Sequence, residues 1–137
     1  MVTQRSGIRV LLVDDHQILR ESLRSCLNSV PNIEVVGEAC NGEEAIGCIG
    51  KVHPQVVVMD INMPKMDGVT ATRLLTGRYP DLAVVGLSIT EDRYTKVAME
   101  RAGAFGVMTK GKHSVDELCW EIEKAAATMS FISIGKA

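Results

Sequence analysis

The feature that most limits the fold of this chain is an alternation of two patterns. Short runs rich in Val, Ile and Leu predict strands at residues 8–13, 33–39, 55–59, 82–87 and 105–109. Stretches whose apolar residues recur every three or four positions predict helices at residues 18–30, 45–52, 69–79, 92–102 and 114–129. Because strands that alternate with helices are typical of βα units, we expect an α/β fold in which five such units, (βα)5, are doubly wound around a parallel five-stranded sheet.

Length and charge agree with a single domain of this kind. The chain has 137 residues, of which 46% are hydrophobic, and a formal net charge of -2. A core of this size needs no disulfide or metal ion to hold it together. The near-neutral charge and the 4% aromatic content disfavour direct binding of nucleic acid. The polar N-terminus and the lack of a long apolar run predict a cytoplasmic protein that does not contact the membrane.

Cysteine and histidine spacing predicts no zinc site. The cysteines form no Cys-x-x-Cys pair and lie in apolar stretches, so we expect reduced core residues. They are Cys26, Cys40, Cys48 and Cys119. The histidines lack paired ligand spacing and are expected at the surface. They are His16, His53 and His113.

Polar residues stand where four of the predicted strands end. They are Asp14 and Asp15, Asp60, Ser88, and Thr109 with Lys110. Each alone is an ordinary boundary residue. In a doubly wound sheet, however, the carboxyl ends of neighbouring strands meet at one crevice. The sequence therefore predicts a single polar site there.

Three carboxylates in one crevice repel each other unless a cation screens them. Mg²⁺, which takes one or two carboxylates together with waters or a phosphate oxygen, suits a small open cluster. One carboxylate could then attack a phosphoryl group, while Lys110 forms an ion pair with that group and the Ser88 hydroxyl donates a hydrogen bond to it. No glycine-rich nucleotide motif supports a dinucleotide or ATP site.

From about residue 8 to residue 129 the chain resembles the receiver domain of a two-component response regulator. The matching segments are VLLVDD at 10–15, MDINMPKMDG at 59–68, LS at 87–88 and GAFGVMTK at 103–110. The resemblance implies a flavodoxin-like strand order 2-1-3-4-5 and phosphorylation of an aspartate by a sensor histidine kinase. It implies no enzyme beyond self-phosphorylation and autodephosphorylation of that aspartate.

The resemblance also assigns roles to individual residues. Asp60 matches the phosphoacceptor, Ser88 the switch hydroxyl and Lys110 the lysine of the site. The implied magnesium ligands are Asp14, Asp15, Asp60 and the backbone carbonyl of Asn62. Two further positions, Asn62 and Thr90, flank the path of attacking water and are expected to tune the lifetime of the phosphoryl group.

The segment IEVVGEA at 33–39, followed by NGEEA at 41–45, resembles the NarL/FixJ subfamily, whose members usually continue into a LuxR-type helix-turn-helix. We expect an extended or disordered segment at 1–7, the receiver domain at 8–129, and the start of a linker or tail at 130–137. DNA contact and control of transcription would then need an output domain that these residues lack. A homodimer on activation stays open.

Two positions depart from the family pattern. Val107 stands where receivers usually have Tyr or Phe, and we expect Phe105 on the same strand face. Gly111 follows the lysine where many receivers have Pro or Asp.

Two other functions compete with the receiver interpretation. A phosphohydrolase of the haloacid-dehalogenase kind also uses an aspartate nucleophile, but its Asp-x-Asp motif would need Asp where this chain has Asn62. The second is an interaction module that acts without phosphorylation, although no acidic residue of the site has been lost.

Overall fold

A computed structural model of the chain describes residues 7–63 and 66–135. Five strands and five helices alternate along these residues. The strands are β1 (Ile8–Val13), β2 (Ile33–Ala39), β3 (Val56–Asp60), β4 (Ala83–Ser88) and β5 (Gly106–Thr109). The helices are α1 (Gln17–Asn28), α2 (Gly42–Val52), α3 (Gly68–Arg78), α4 (Arg93–Arg101) and α5 (Val115–Gly135).

The strands form one parallel sheet in the order β2-β1-β3-β4-β5, as predicted. The chain passes from β1 outward to β2 and then returns to β3 on the other side of β1. This reversal makes the carboxyl ends of β1 and β3 a topological switch point, where a crevice opens in doubly wound sheets. Asp14 follows β1 and Asp60 ends β3, so both lie at this crevice.

Helices cover the sheet on both faces, which explains why the central strands are almost continuously apolar. All five residues of β3 are buried. One core cluster joins the sheet to α1 and α5 through residues such as Leu27 and Ile122. The other joins it to α2, α3 and α4 through residues such as Ala45, Leu75 and Met99. Each fully buried Leu, Ile or Met contributes roughly 1.5–3 kcal/mol, so the sheet is a firm base for the crevice.

Helix α1 buries less of its apolar stripe than its periodicity predicts. Leu27 is fully buried, but Ile18 is 81% and Leu19 53% exposed. Leu19 lines the same pocket as Asp14 and Lys110, so this turn of α1 lies beside the crevice. The cysteine prediction is also wrong in part, because Cys26 is exposed and only Cys119 is buried, although all four thiols are free.

The start of β5 differs from the sequence prediction. Phe105 packs against the core cluster on the side of α1 and α5, whereas Val107 packs on the opposite side. The expectation of a shared face is therefore wrong, because β5 begins only at Gly106 and strand alternation does not reach Phe105.

Helix α5 continues to Gly135, past the predicted end at residue 129. Its residues Phe131 and Ile132 are exposed. The domain boundaries remain a prediction. Residues 1–6 of the N-terminal segment expected at 1–7, and the last two residues of the chain, lie outside the described residues. Among the described helices, none is long and apolar enough to cross a bilayer.

Candidate functional site

The sheet brings the predicted polar residues to one edge. Asp14, Asp60 and Ser88 are buried there, with 6%, 1% and 1% of their surfaces exposed. Lys110 follows β5, and its backbone N–H donates to the carbonyl of Ser88 at 2.8 Å. This bond holds the ends of β4 and β5 together, so the lysine side chain starts from a fixed point.

Lys110 reaches across the crevice to two carboxylates. Its Nζ lies 3.1 Å from Oδ2 of Asp14 and 3.6 Å from Oδ1 of Asp60. The ligand atoms of Asp14, Asp15 and Asp60 lie within 4.8 Å of one another. Three carboxylates and one ammonium group leave two net negative charges in this small volume.

The two buried carboxylates differ in pKa. Burial raises the pKa of Asp60 to about 6, and the charge of Asp14 adds to the rise while that of Lys110 opposes it. Burial also acts on Asp14, but the backbone N–H of His16 and the Lys110 ammonium outweigh it and hold the pKa of Asp14 below its ordinary value. The two carboxylates differ because burial dominates at Asp60, whereas hydrogen bonds and the Lys110 charge dominate at Asp14.

Asp15 contributes a carboxylate oxygen that lies 3.2 Å from Nδ1 of His16 but makes no hydrogen bond with the described residues. Its Oδ1 is buried and accepts no hydrogen bond from the described residues. Burying a carboxylate oxygen without a hydrogen bond or a cation costs free energy. The unbalanced charge and this unsatisfied oxygen together fit a cluster that can bind a divalent metal ion.

The segment after β3 holds Asp60 in place. The backbone N–H of Asn62 donates to Oδ1 of Asp60 at 3.2 Å, and the Asn62 side chain is exposed. A Cβ on Gly68 would lie 2.6 Å from the carbonyl oxygen of Asp60, so only glycine permits this close approach. Asp67 caps α3 by accepting from the N–H of Thr70 at 2.9 Å. Pro64, which the sequence assigns to this turn, lies outside the described residues.

Hydroxyl groups order the loop after β4. Oγ of Ser88 accepts from the N–H of Thr90 at 3.1 Å, and Oγ1 of Thr90 donates to Asp92 at 3.2 Å. Asp92 in turn caps α4 by accepting from the N–H of Thr95 at 2.9 Å. A change at Ser88 can therefore reach α4 through three consecutive hydrogen bonds.

The conformation of the loop after Lys110 explains why a glycine, Gly111, stands where many receivers have Pro or Asp. Gly111 has φ +80°, a conformation that proline cannot adopt and that other residues adopt at a cost. The chain then turns so that Nδ1 of His113 accepts from the N–H of Thr109 at 2.9 Å. Gly111 thus fits a tight turn that fixes the position of Lys110.

Two residues near the site had no signal in the sequence pattern. Nδ1 of His16, expected to be an ordinary surface group, lies 3.3 Å from Oδ1 of Asp14 and 3.2 Å from Oδ1 of Asp15. Arg20 donates from Nη1 to the carbonyl of Asp14 and from Nε to Glu38 at 2.9 Å. His16 directly follows the two aspartates in the chain, and the pairing of Arg20 with Glu38 depends on β2 lying beside α1.

Comparison with known proteins decides the family. The family model of the response regulator receiver domain matches residues 10–123. The chain belongs to this family. The match sets aside the haloacid-dehalogenase interpretation and agrees with the fold and with the acidic crevice.

Relatives of this receiver domain include transcriptional regulators. It is 43% identical over 103 residues to the transcriptional regulatory protein DegU of Brevibacillus brevis, covering 75% of this chain and 44% of DegU. It is 37% identical over 126 residues to the response regulator GacA of Pseudomonas viridiflava, covering 92% of this chain and 58% of GacA. The chain therefore spans about half the length of these curated relatives.

A solved structure agrees with the resemblance of the sequence to the NarL/FixJ subfamily. A two-component response regulator of the LuxR family from Aurantimonas sp. SI85-9A1 superposes with a TM-score of 0.85 and 32% identity, covering 90% of this chain and 87% of that one. A LuxR-family regulator is thus among the structural neighbours, as the NarL/FixJ resemblance predicts.

Proposed function

We propose that this receiver domain accepts a phosphoryl group on Asp60 from a sensor histidine kinase. The observation that carries the proposal is a buried carboxylate at the end of the central strand, beside the Lys110 ammonium and the Asp14 and Asp15 carboxylates. With a pKa of about 6, Asp60 is mostly ionised at neutral pH and can act as a nucleophile.

The transfer moves one phosphoryl group. An oxygen of Asp60 forms a bond to phosphorus, while the bond from phosphorus to the imidazole nitrogen of the donor breaks and that nitrogen keeps the electron pair. Lys110, now 3.6 Å from Asp60, is placed to offset the charge that the phosphoryl oxygens bring. The acceptor is the domain's own aspartate, and the phosphorylated donor is the other reactant, which loses its phosphoryl group.

Magnesium is the cofactor we propose for the acidic cluster. The groups that would hold it are Asp14, Asp15, Asp60 and the backbone carbonyl of Asn62, all oxygen donors of the kind that Mg²⁺ prefers. When bound, Mg²⁺ neutralises negative charge on the carboxylates and on the incoming phosphoryl group.

The readout would begin at Ser88 and Lys110. Lys110 Nζ lies 3.6 Å from Asp60, and Ser88 directly follows Leu87, which pairs with Asp60 in the sheet. Ser88 is also linked through Thr90 and Asp92 to α4. Because Val107 offers no large ring to rotate, we propose that the change relies on the backbone and on movement of α4. One relative, DegU, is named a transcriptional regulatory protein, and another, GacA, is named a response regulator. We therefore propose that the output is control of transcription through a LuxR-type helix-turn-helix domain. Homodimerisation on activation is one way in which phosphorylation could control that domain.

Acetyl phosphate with and without Mg²⁺ tests the proposal directly. The intact mass of the chain should rise by one phosphoryl group when Mg²⁺ is present. Asp60→Asn should abolish the increase, whereas Asp81→Asn, which changes an exposed carboxylate outside the site, should keep it. Equal labelling of the Asp60→Asn variant would overturn the assignment. Absence of labelling in the parent chain would favour the interaction module that acts without phosphorylation.

A further inference from the structure

His113 binds both polar backbone groups of the residue that precedes Lys110. Its Nδ1 accepts a hydrogen bond from the N–H of Thr109 at 2.9 Å, and its own backbone N–H donates to the carbonyl of Thr109 at 3.1 Å. Because Nδ1 is the acceptor, the imidazole is neutral and carries its proton on Nε2. The two bonds close the loop between Thr109 and His113 into a ring, and Lys110 is the first residue inside it.

The imidazole satisfies a donor at the open edge of the sheet. β5 is the last strand of the sheet and pairs with β4 on one side. The N–H of Lys110 points toward β4, where it donates to the carbonyl of Ser88 at 2.8 Å. Since successive N–H groups of a strand point in opposite directions, the N–H of Thr109 points to the open edge. Nδ1 of His113 therefore takes the place of the carbonyl that a neighbouring strand would supply.

Lys110 is the residue whose geometry depends on this ring. Its own N–H is held by β4, and the residue before it is held on both sides by His113. Gly111, which follows it, has φ +80° and lets the chain turn back at once. The backbone of Lys110 therefore has little freedom, and its Nζ reaches 3.1 Å from Asp14 and 3.6 Å from Asp60.

The start of α5 has a cap of its own and does not need the imidazole. Oγ of Ser114 accepts from the N–H of Glu117 at 3.1 Å, and the N–H of Ser114 donates to Oε1 of Glu117 at 3.0 Å. This reciprocal pair is a capping box. The His113 side chain is instead directed back to the end of β5, which is the strand that delivers Lys110.

We propose that His113 is a positioning residue for the phosphorylation of Asp60 and acts through Lys110. By holding Thr109 on both sides, it fixes the backbone from which the lysine side chain reaches the crevice. This inference rests on the proposed function, which gives the Lys110 ammonium the role of offsetting the charge of the phosphoryl oxygens. A displacement of about one ångström in such a group can slow a reaction by up to about a hundredfold.

Two variants of similar shape separate the hydrogen bond from packing. Leu and Asn both branch at Cγ, but only Asn places an acceptor, Oδ1, where Nδ1 stands in His113. Labelling of Asp60 by acetyl phosphate with Mg²⁺ should slow about fivefold or more in His113→Leu and should stay within about twofold of the parent rate in His113→Asn. Ser114→Ala is the control for a general loss of stability, because it removes the cap of α5 and leaves the acceptor of Thr109 in place. Its labelling rate should match that of the parent.

A double variant tests whether the effect passes through the lysine. In a chain that carries Lys110→Met, adding His113→Leu should change the labelling rate less than about twofold. The mobility of the Lys110 ammonium group, measured by nitrogen NMR relaxation in the metal-free protein, is a readout that needs no phosphorylation. It should rise in His113→Leu and stay at the parent value in His113→Asn.

The outcomes distinguish this inference from the proposed function. If the parent chain is labelled, an equal labelling rate or equal Lys110 mobility in His113→Leu would overturn the positioning role. The same conclusion would follow if His113→Asn failed to restore both, or if the rate loss persisted beside Lys110→Met. An unlabelled parent chain whose Lys110 mobility depends on His113 would overturn only the proposed phosphorylation, and an unlabelled parent without that dependence would overturn both.

Discussion

Replacing Asp60 with Asn should stabilise the folded chain at neutral pH when divalent cations are absent. Burial raises the pKa of Asp60 from 3.8 to about 6. The folded state therefore binds the proton more tightly than the unfolded state does. As pH rises from about 4 to about 6, ionisation of Asp60 costs the folded state about 3 kcal/mol. Asn keeps the shape of the neutral side chain without the charge, so the free energy of unfolding of the variant should be about 2–3 kcal/mol higher at neutral pH.

The pH dependence distinguishes this cause from a packing effect. Below about pH 4 Asp60 is protonated in both states, and the two proteins should be equally stable. Asp14 is present in both proteins, and because its pKa is lowered, the stability linked to its ionisation is lost below its ordinary pKa of 3.8, outside the range in which Asp60 ionises. Urea unfolding in EDTA at several pH values measures the difference, provided that the m-value is the same for both proteins.

Asp81→Asn is the matched control, because it removes an exposed carboxylate outside the crevice and should leave the unfolding free energy nearly unchanged. Saturating Mg²⁺ should reduce the advantage of Asp60→Asn, since a ligand at a hundred times its Kd stabilises the folded parent by about 2.7 kcal/mol. A gain that is the same at acidic and neutral pH, or no gain at all, would refute the electrostatic reasoning.

The remaining predictions concern the switch and the lifetime of the phosphoryl group. Beryllofluoride with Mg²⁺ should shift the amide resonances of residues 89–111, and an unchanged spectrum there would rule out a switch on this side of the sheet. Thr90→Glu should speed dephosphorylation because a carboxylate orients water better than a short hydroxyl. Asn62→Lys should slow it by closing the approach. Rates measured after removal of the donor test both, and equal rates in all three proteins would contradict the assignment.

The sequence predicts the strands well where hydrophobic burial alone determines them. β1 and β2 begin and end at the predicted residues, because each is an apolar run bounded by polar or turn residues. β3 is displaced by one residue, since the backbone of Gln55 pairs with Arg9 before the strand begins and Asp60 belongs to its last pair. The position of Asp60 was therefore predictable to within one residue from the run of apolar residues that precedes it.

Errors occur where burial depends on a neighbouring element. The period of α1 identifies an apolar stripe but does not show how much of the stripe neighbouring elements bury. Ile18 and Leu19 belong to the stripe but are exposed. Strand alternation did not predict the face of Phe105, because the residue precedes the first paired residue of β5, Gly106, although its N–H already donates to Val84. His16 was missed for a different reason: a single histidine has many ordinary roles, and only the folded chain shows which carboxylates it meets.

In the acidic crevice the residues present work against the stability of the fold. A chain selected only for stability would not bury Asp60 beside Asp14 or leave Oδ1 of Asp15 without a hydrogen bond. The same conflict supplies a means of control. In the proposed function, a cation would relieve the repulsion, and a phosphoryl group on Asp60 would introduce oxygens for Lys110 and Ser88 to bind. Either ligand would shift the domain only if it interacts differently with alternative arrangements of the ends of β4 and β5. Removing the repulsion with Asp60→Asn should therefore stabilise the chain and abolish its response together, which is the expected relation when one buried charge is both the cost to folding and the source of the signal.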